Sequence, residues 1–173
     1  MTNKSFTTIE VLVVIGVTSL ITGILIIYNR ASERQIILFR ERAKIVSVLF
    51  RAKSLSTVAF GEAEVPCGYG AHFEQPRTFL IFKDLPGEDD DCSATDKAYT
   101  SANPSEIFES FELDKTVSFE TLSFSDVLFI PPEPLVFITP PQEGQSQATI
   151  IIKTVTGQGS ASVKINSAGQ ITR

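Results

Sequence analysis

The chain has 173 residues, 43% hydrophobic and 20% charged, enough for one modest domain with an appendage; this excludes a disordered tail and a multispan membrane protein. The net charge of -5 hides an asymmetry, because residues 1–60 carry eight Lys/Arg against three Asp/Glu while residues 61–173 carry seven against seventeen. An acidic C-terminal part repels phosphate backbones, which argues against a general nucleic-acid binder.

In chain order, a short leader with Lys4 precedes an uncharged apolar run from Val11 to Tyr28, broken only by Thr18, Ser19 and Thr22. At about 1.5 Å per residue such a run extends roughly 27 Å, close to a bilayer core. No other segment of so small a chain could enclose it, so a membrane-inserted helix is expected over residues 6–28. No small-x-small cleavage site follows the run, which separates it from an ordinary secretory signal. The basic residues after it (Arg30, Arg34, Arg40, Arg42, Lys44), counted by the positive-inside rule, would place the C-terminal part in the cytoplasm.

Glu10 is the anomaly. A carboxylate at the edge of a membrane helix costs on the order of 2–3 kcal/mol unless it is paired, and such residues usually serve a function. Once a leader ending at Ser5 is removed, no basic side chain remains in the first turns, and the new amino group at Phe6 of a neighbouring copy could supply the charge. The opening MTNKSFTTIEVLVVI resembles the cleavage and methylation motif of type IV prepilins, Gly-Phe-Thr-Leu-Ile-Glu followed by Leu and Val. Ser5 stands where Gly is preferred, Thr8 where Leu is usual, and the run lacks the proline found partway along many major pilins.

The resemblance implies cutting by a membrane prepilin peptidase between Ser5 and Phe6, methylation of the Phe6 amine, and pairing of Glu10 with that amine on an adjacent subunit. It also implies an assembly platform, other pilin-like subunits as partners, and membrane lipid around the helix before assembly. The N-terminus would then be cytoplasmic and the C-terminal part extracytoplasmic, against the charge count. The absent proline leans toward a minor pilin or a pseudopilin of type II secretion.

From residue 29 to about residue 60 there is no Pro or Gly, and Leu38, Ile45, Leu49 and Ala52, flanked by Phe39, Val46 and Phe50, recur at helical spacing. One helix from Phe6 to about Phe60, stopped by Gly61, is expected, with residues 29–60 as an amphipathic stalk. Its cations, Arg30, Arg34, Arg40, Arg42, Arg51 and Lys53, read as a solvated or intersubunit face.

Beyond residue 61 the texture becomes short β-branched and aromatic runs broken by Pro, Gly, Asn and Ser. Strands are expected at 77–83, 107–113, 116–122, 126–130, 135–139, 148–156 and 161–166, with 157–160 as a hairpin loop, 167–169 as a second turn and 170–172 returning. Cys-Gly-Tyr-Gly, from residue 67, reads as a loop. The expected fold class is α+β: one long N-terminal helix packed on a C-terminal antiparallel sheet, a pilin-like arrangement.

Cys67 and Cys92, a single pair in an exported part, read as a disulfide; two unpaired buried thiols are the alternative. With only His72 beside them there are too few ligands for zinc. A Cys67–His72 nucleophile and base is set aside in favour of a cystine and a packed or surface histidine. Neither a P-loop nor a G-x-S-x-G motif occurs, so no enzyme and no cofactor is expected. Asp89, Asp90 and Asp91, with Glu88 before and Asp96 nearby, form a weak Ca²⁺ candidate that lacks the alternating ligand spacing of a known loop and reads as a solvated acidic loop. The expected function is a pilin-like structural subunit of a type IV pilus or a type II secretion pseudopilus. The alternative is a monomeric, membrane-tethered extracytoplasmic binding module that does not assemble.

Overall fold

The computed structural model describes residues 7–58, 66–87, 91–131, 135–140 and 147–172, with backbone alone at 27–32 and 94. The chain divides into two compact units, Met1–Ile37 and Leu38–Arg173. One α-helix, α1 (Thr8–Val58), runs from the first unit into the second. Gly61, the expected stop, lies outside the described residues.

In the second unit α1 is followed by β1 (Gly68–Glu74), β2 (Thr78–Asp84), β3 (Ile107–Glu112), β4 (Val117–Phe119), β5 (Asp126–Ile130), β6 (Leu135–Thr139), β7 (Gln147–Thr154), β8 (Ser160–Asn166) and β9 (Ile171–Thr172). Short 3-10 turns occur at Cys92–Ala94 and Pro104–Glu106. The α+β class holds, but the strands form two antiparallel sheets rather than one. A five-stranded sheet has the order β3-β2-β1-β5-β6, and a four-stranded sheet has the order β4-β7-β8-β9. The two meet at an aromatic cluster. Phe119 of β4 sits edge-on to Phe73 of β1 and Phe79 of β2, with ring centroids 5.7 and 6.0 Å away. A backbone bond from Phe119 N to Pro76 O stitches the same junction.

The apolar face predicted for the stalk is the one buried in the second unit. Leu38, Ile45, Val46, Val48, Leu49 and Ala52 are buried, whereas Phe39 and Phe50 stay exposed, and the Arg42 guanidinium covers the Phe39 ring at 5.0 Å. On the basic face Arg34, Arg40 and Arg51 are exposed to solvent, and some of the cations also reach groups of the strands. Arg51 pairs with Glu109 of β3 at 2.8 Å, and Arg40 reaches Asp114 at 3.6 Å. Lys44 Nζ donates to Glu112 O at 2.5 Å, and Lys53 Nζ donates to Gly169 O at 2.9 Å in the β8–β9 turn. Long cationic side chains near the buried face lay their stems over apolar surface and deliver their charge to the acidic strands beyond it.

The one strand absent from the sequence reading is the central one. Cys-Gly-Tyr-Gly is not a loop: Gly68 and Gly70 open β1, which pairs β2 on one side and β5 on the other. Gly70 lies opposite both Phe82 and Leu128, and a Cβ there would come within 2.5 Å of the Phe82 ring and 2.8 Å of Val127 O. Glycine, a poor strand former, is required because the ring occupies the space of a side chain. The Phe82 ring, with Leu80 and Leu128, forms a cluster on that face of the sheet, against which Tyr99 packs. The middle of the sheet is therefore covered on both sides, and β1 and β5 read as nearly continuous buried runs, while the edge strands β3 and β6 stay largely open.

Candidate functional site

In the first unit, the part of α1 from Thr8 to Ile26 has 19 residues and a mean hydropathy of 2.5, and every described side chain from 7 to 26 is exposed. It is long and apolar enough to cross a membrane. Two of its polar breaks, Thr18 and Thr22, are satisfied within the helix. The Thr18 hydroxyl donates to Val14 O at 2.9 Å, and the Thr22 hydroxyl donates to Thr18 O at 2.7 Å.

Ser5 and Phe6, the cleavage and methylation residues, lie outside the described residues. Glu10 occupies the first turn of α1. Its Oε2 accepts from the Thr7 backbone N–H and from the Thr7 hydroxyl, both at 3.0 Å, and the Glu10 N–H donates to Thr7 Oγ1 at 3.4 Å. This is a capping box, in which the residue before the helix and the one at its third position satisfy each other's backbone donors. The carboxylate thus has partners inside its own chain, which the search for a cation overlooked. Thr7-x-x-Glu10 was the signal that could have found them.

Cys67 and Cys92 form a disulfide, with Cα atoms 5.3 Å apart, closing a loop of sequence separation 25. Cys67 leads into β1, and Cys92 opens the first 3-10 turn, capped by the Asp91 carboxylate on Ser93 N at 2.8 Å. The bond holds the segment that carries Tyr99 at the end of the five-stranded sheet. The Asp84 carboxyl, at the end of β2, is buried, with one oxygen unpartnered among the described residues. Burial pushes its pKa up to about 6, aided by the negative charges of Asp96 and Glu106 and opposed by the Thr95 hydroxyl and Lys97.

Of the Ca²⁺ candidates, Asp89 and Asp90 lie outside the described residues, and the Asp91 carboxylate is engaged by Ser93. The Ser93 bonds hold the Asp91 carboxyl below the usual carboxylate range. Among the described residues no group of three or more His, Cys, Asp or Glu could hold a metal ion. His72 pairs with Asp126, Nδ1 to Oδ1, at 2.7 Å, a contact spanning 54 residues that no sequence spacing signals.

The chain matches no protein-family model, no curated protein and no solved structure.

Proposed function

We propose that this chain is a pilin-like structural subunit, a minor pilin or pseudopilin. A prepilin peptidase cuts it between Ser5 and Phe6, and it assembles through its N-terminal helix into a type IV pilus or a type II secretion pseudopilus. The observation that carries the reading is a lone carboxylate, Glu10, in the first turn of a 19-residue exposed apolar helix, directly after the Ser-Phe-Thr-Thr-Ile segment that resembles the prepilin motif. Removal of the leader frees an amine at Phe6. On an adjacent subunit, that amine and Glu10 form an ion pair whose strength rises as water is excluded. The exposed apolar surface of residues 8–26 is then covered by neighbouring helices instead of lipid. The mechanism is noncovalent, and energy for extraction comes from the platform, not from this chain.

A second reading, a monomeric tethered module, draws on the Thr7–Glu10 capping box, since Glu10 already has a partner. Intact mass of the chain, recovered from membranes of cells that hold a prepilin peptidase, tests the first. A chain beginning at Phe6 and heavier by one methyl group is expected; a chain still beginning at Met1 refutes it. Glu10→Gln then separates the two readings, because glutamine retains the capping box and removes the charge. Cross-linked oligomers that vanish in Glu10→Gln support assembly, and a chain that never forms them supports the module.

A further inference from the structure

A cleft of about 510 Å³ opens beside His72, within the size range of small-molecule sites. Its most ordered feature is the imidazole. Asp126 lies directly across the β1–β5 pair from His72 and is only 3% exposed. One of its oxygens takes His72 Nδ1, and the other accepts a short hydrogen bond from the Ser125 hydroxyl. A carboxylate at Nδ1 places the proton there in the neutral ring and leaves Nε2 an acceptor, with no partner among the described residues. Tyr99 packs on the ring, with centroids 4.7 Å apart and planes tilted by 46°.

The remaining walls select a ligand class. Phe73 and Phe124 are buried and give an apolar floor, while Glu74, Gln75, Ser101 and Thr121 are exposed at the rim. The Gln75 amide nitrogen gives one hydrogen to Glu120 O at 2.9 Å, leaving its second hydrogen to donate and its oxygen to accept. Among the described residues no Lys or Arg lines the cleft, so a phosphate or carboxylate would find no counter-charge there. A cation would find one exposed carboxylate, Glu74, because both oxygens of Asp126 are already engaged. What the rim offers is a mixture of acceptors with two hydroxyls that both donate and accept, set around aromatic faces. A hydroxylated ring has the matching character, with an apolar C–H face and a girdle of groups that donate and accept.

We infer that the cleft bounded by His72, Tyr99, Phe124 and Glu74 is a binding site for a neutral saccharide of one or two rings. Tyr99 presents its ring to the sugar's C–H face above the apolar floor of Phe73 and Phe124, and His72 Nε2, Glu74, Ser101 and Thr121 bond its hydroxyls. The site does not depend on the filament reading, because every residue in it belongs to the second unit.

The chain contains a single histidine, so its imidazole signals in a nuclear magnetic resonance spectrum report on this cleft alone. The full chain, held in a zwitterionic detergent without a sugar headgroup, is titrated with glucose, N-acetylglucosamine, lactose and maltose. A saturable displacement of the His72 signals by at least one of them is expected at millimolar concentration. Glu74→Ala and Ser101→Ala, both exposed and neutral to folding, are each expected to weaken it at least fivefold. Tyr99→Ala abolishes it, but Tyr99 also packs on Phe82, so the two rim variants decide the matter. The inference is overturned if none of the four saccharides saturates. It is overturned equally if choline or inorganic phosphate moves the signals where sugars do not, or if the sugar response survives both rim substitutions undiminished.

Discussion

Replacing both Cys67 and Cys92 by serine removes the covalent tie between the start of β1 and the segment that carries Tyr99. The closed loop has a sequence separation of 25, for which loop-closure entropy in the unfolded chain corresponds to about 3.5 kcal/mol at 25 °C. The folded state contributes a second, local effect. Without the bond, the segment covering Leu80, Phe82 and Leu128 is held by side-chain contacts such as Tyr99 on Phe82, together with hydrogen bonds such as that from the Thr139 hydroxyl to Lys97 O. Guanidinium unfolding of the full chain in detergent, followed by near-ultraviolet tyrosine circular dichroism, gives the global loss; hydrogen exchange over 91–103 gives the local one. A loss of about 3 kcal/mol with faster exchange in that segment is expected. A loss under about 1 kcal/mol would refute the entropic argument, and unchanged exchange would refute the claim that the bond holds the cover in place.

Gly70→Ala puts a methyl group into the Phe82 ring, so a loss of about 2–3 kcal/mol is expected by denaturant midpoint; a change below about 0.5 kcal/mol would mean that the ring moves freely aside. Burial pushes Asp84 up to about 6 in the folded chain from its ordinary value of 3.8, so as pH rises through 4 to 6 the unfolded chain loses its proton first and stability falls. Asp84→Asn is therefore expected to stabilise by on the order of 1–2 kcal/mol above pH 6, after allowance for solvent screening, with the gain fading toward pH 4; a gain independent of pH would sink the assignment. Glu10→Ala is expected to cost the helix start about 1 kcal/mol, seen as faster amide exchange at residues 8–11, whereas Glu10→Gln leaves that exchange unchanged; equal behaviour of the two would remove the capping box from the account.

Much of the second unit was legible because its strands obey local rules. Residues 126–130 and 135–139 match β5 and β6 in full, and β7 shows the inward alternation of Ala148, Ile150, Ile152 and Thr154. The cystine was legible from two cysteines alone. The strand β1 was not, since its glycines answer to Phe82 and Phe129, residues reached only through pairing. The division into two sheets was hidden for the same reason: β4 is three residues long, and its partner β7 is encoded far downstream. The His72–Asp126 pair depends on register, which follows from the whole sheet. Glu10 was singled out for its charge, while its local partner, three residues earlier, went unread.

The bond from Lys53 to Gly169 joins residues 116 positions apart. Read as a timetable, it says that this stretch of the helix is made well before the turn that one of its lysines bonds. The four-stranded sheet needs β7, β8 and β9, all encoded after residue 146, and a Cβ on Gly159, just before β8, would lie 3.6 Å from the Leu38 side chain, so Leu38 gains that neighbour only late. Contacts of such long separation make folding slow, in the range of milliseconds to seconds, and leave apolar surface open meanwhile. Loss of β8 and β9 would remove the Lys53–Gly169 bond and the Gly159 neighbour of Leu38, opening part of the helix's apolar face to aggregation and proteolysis.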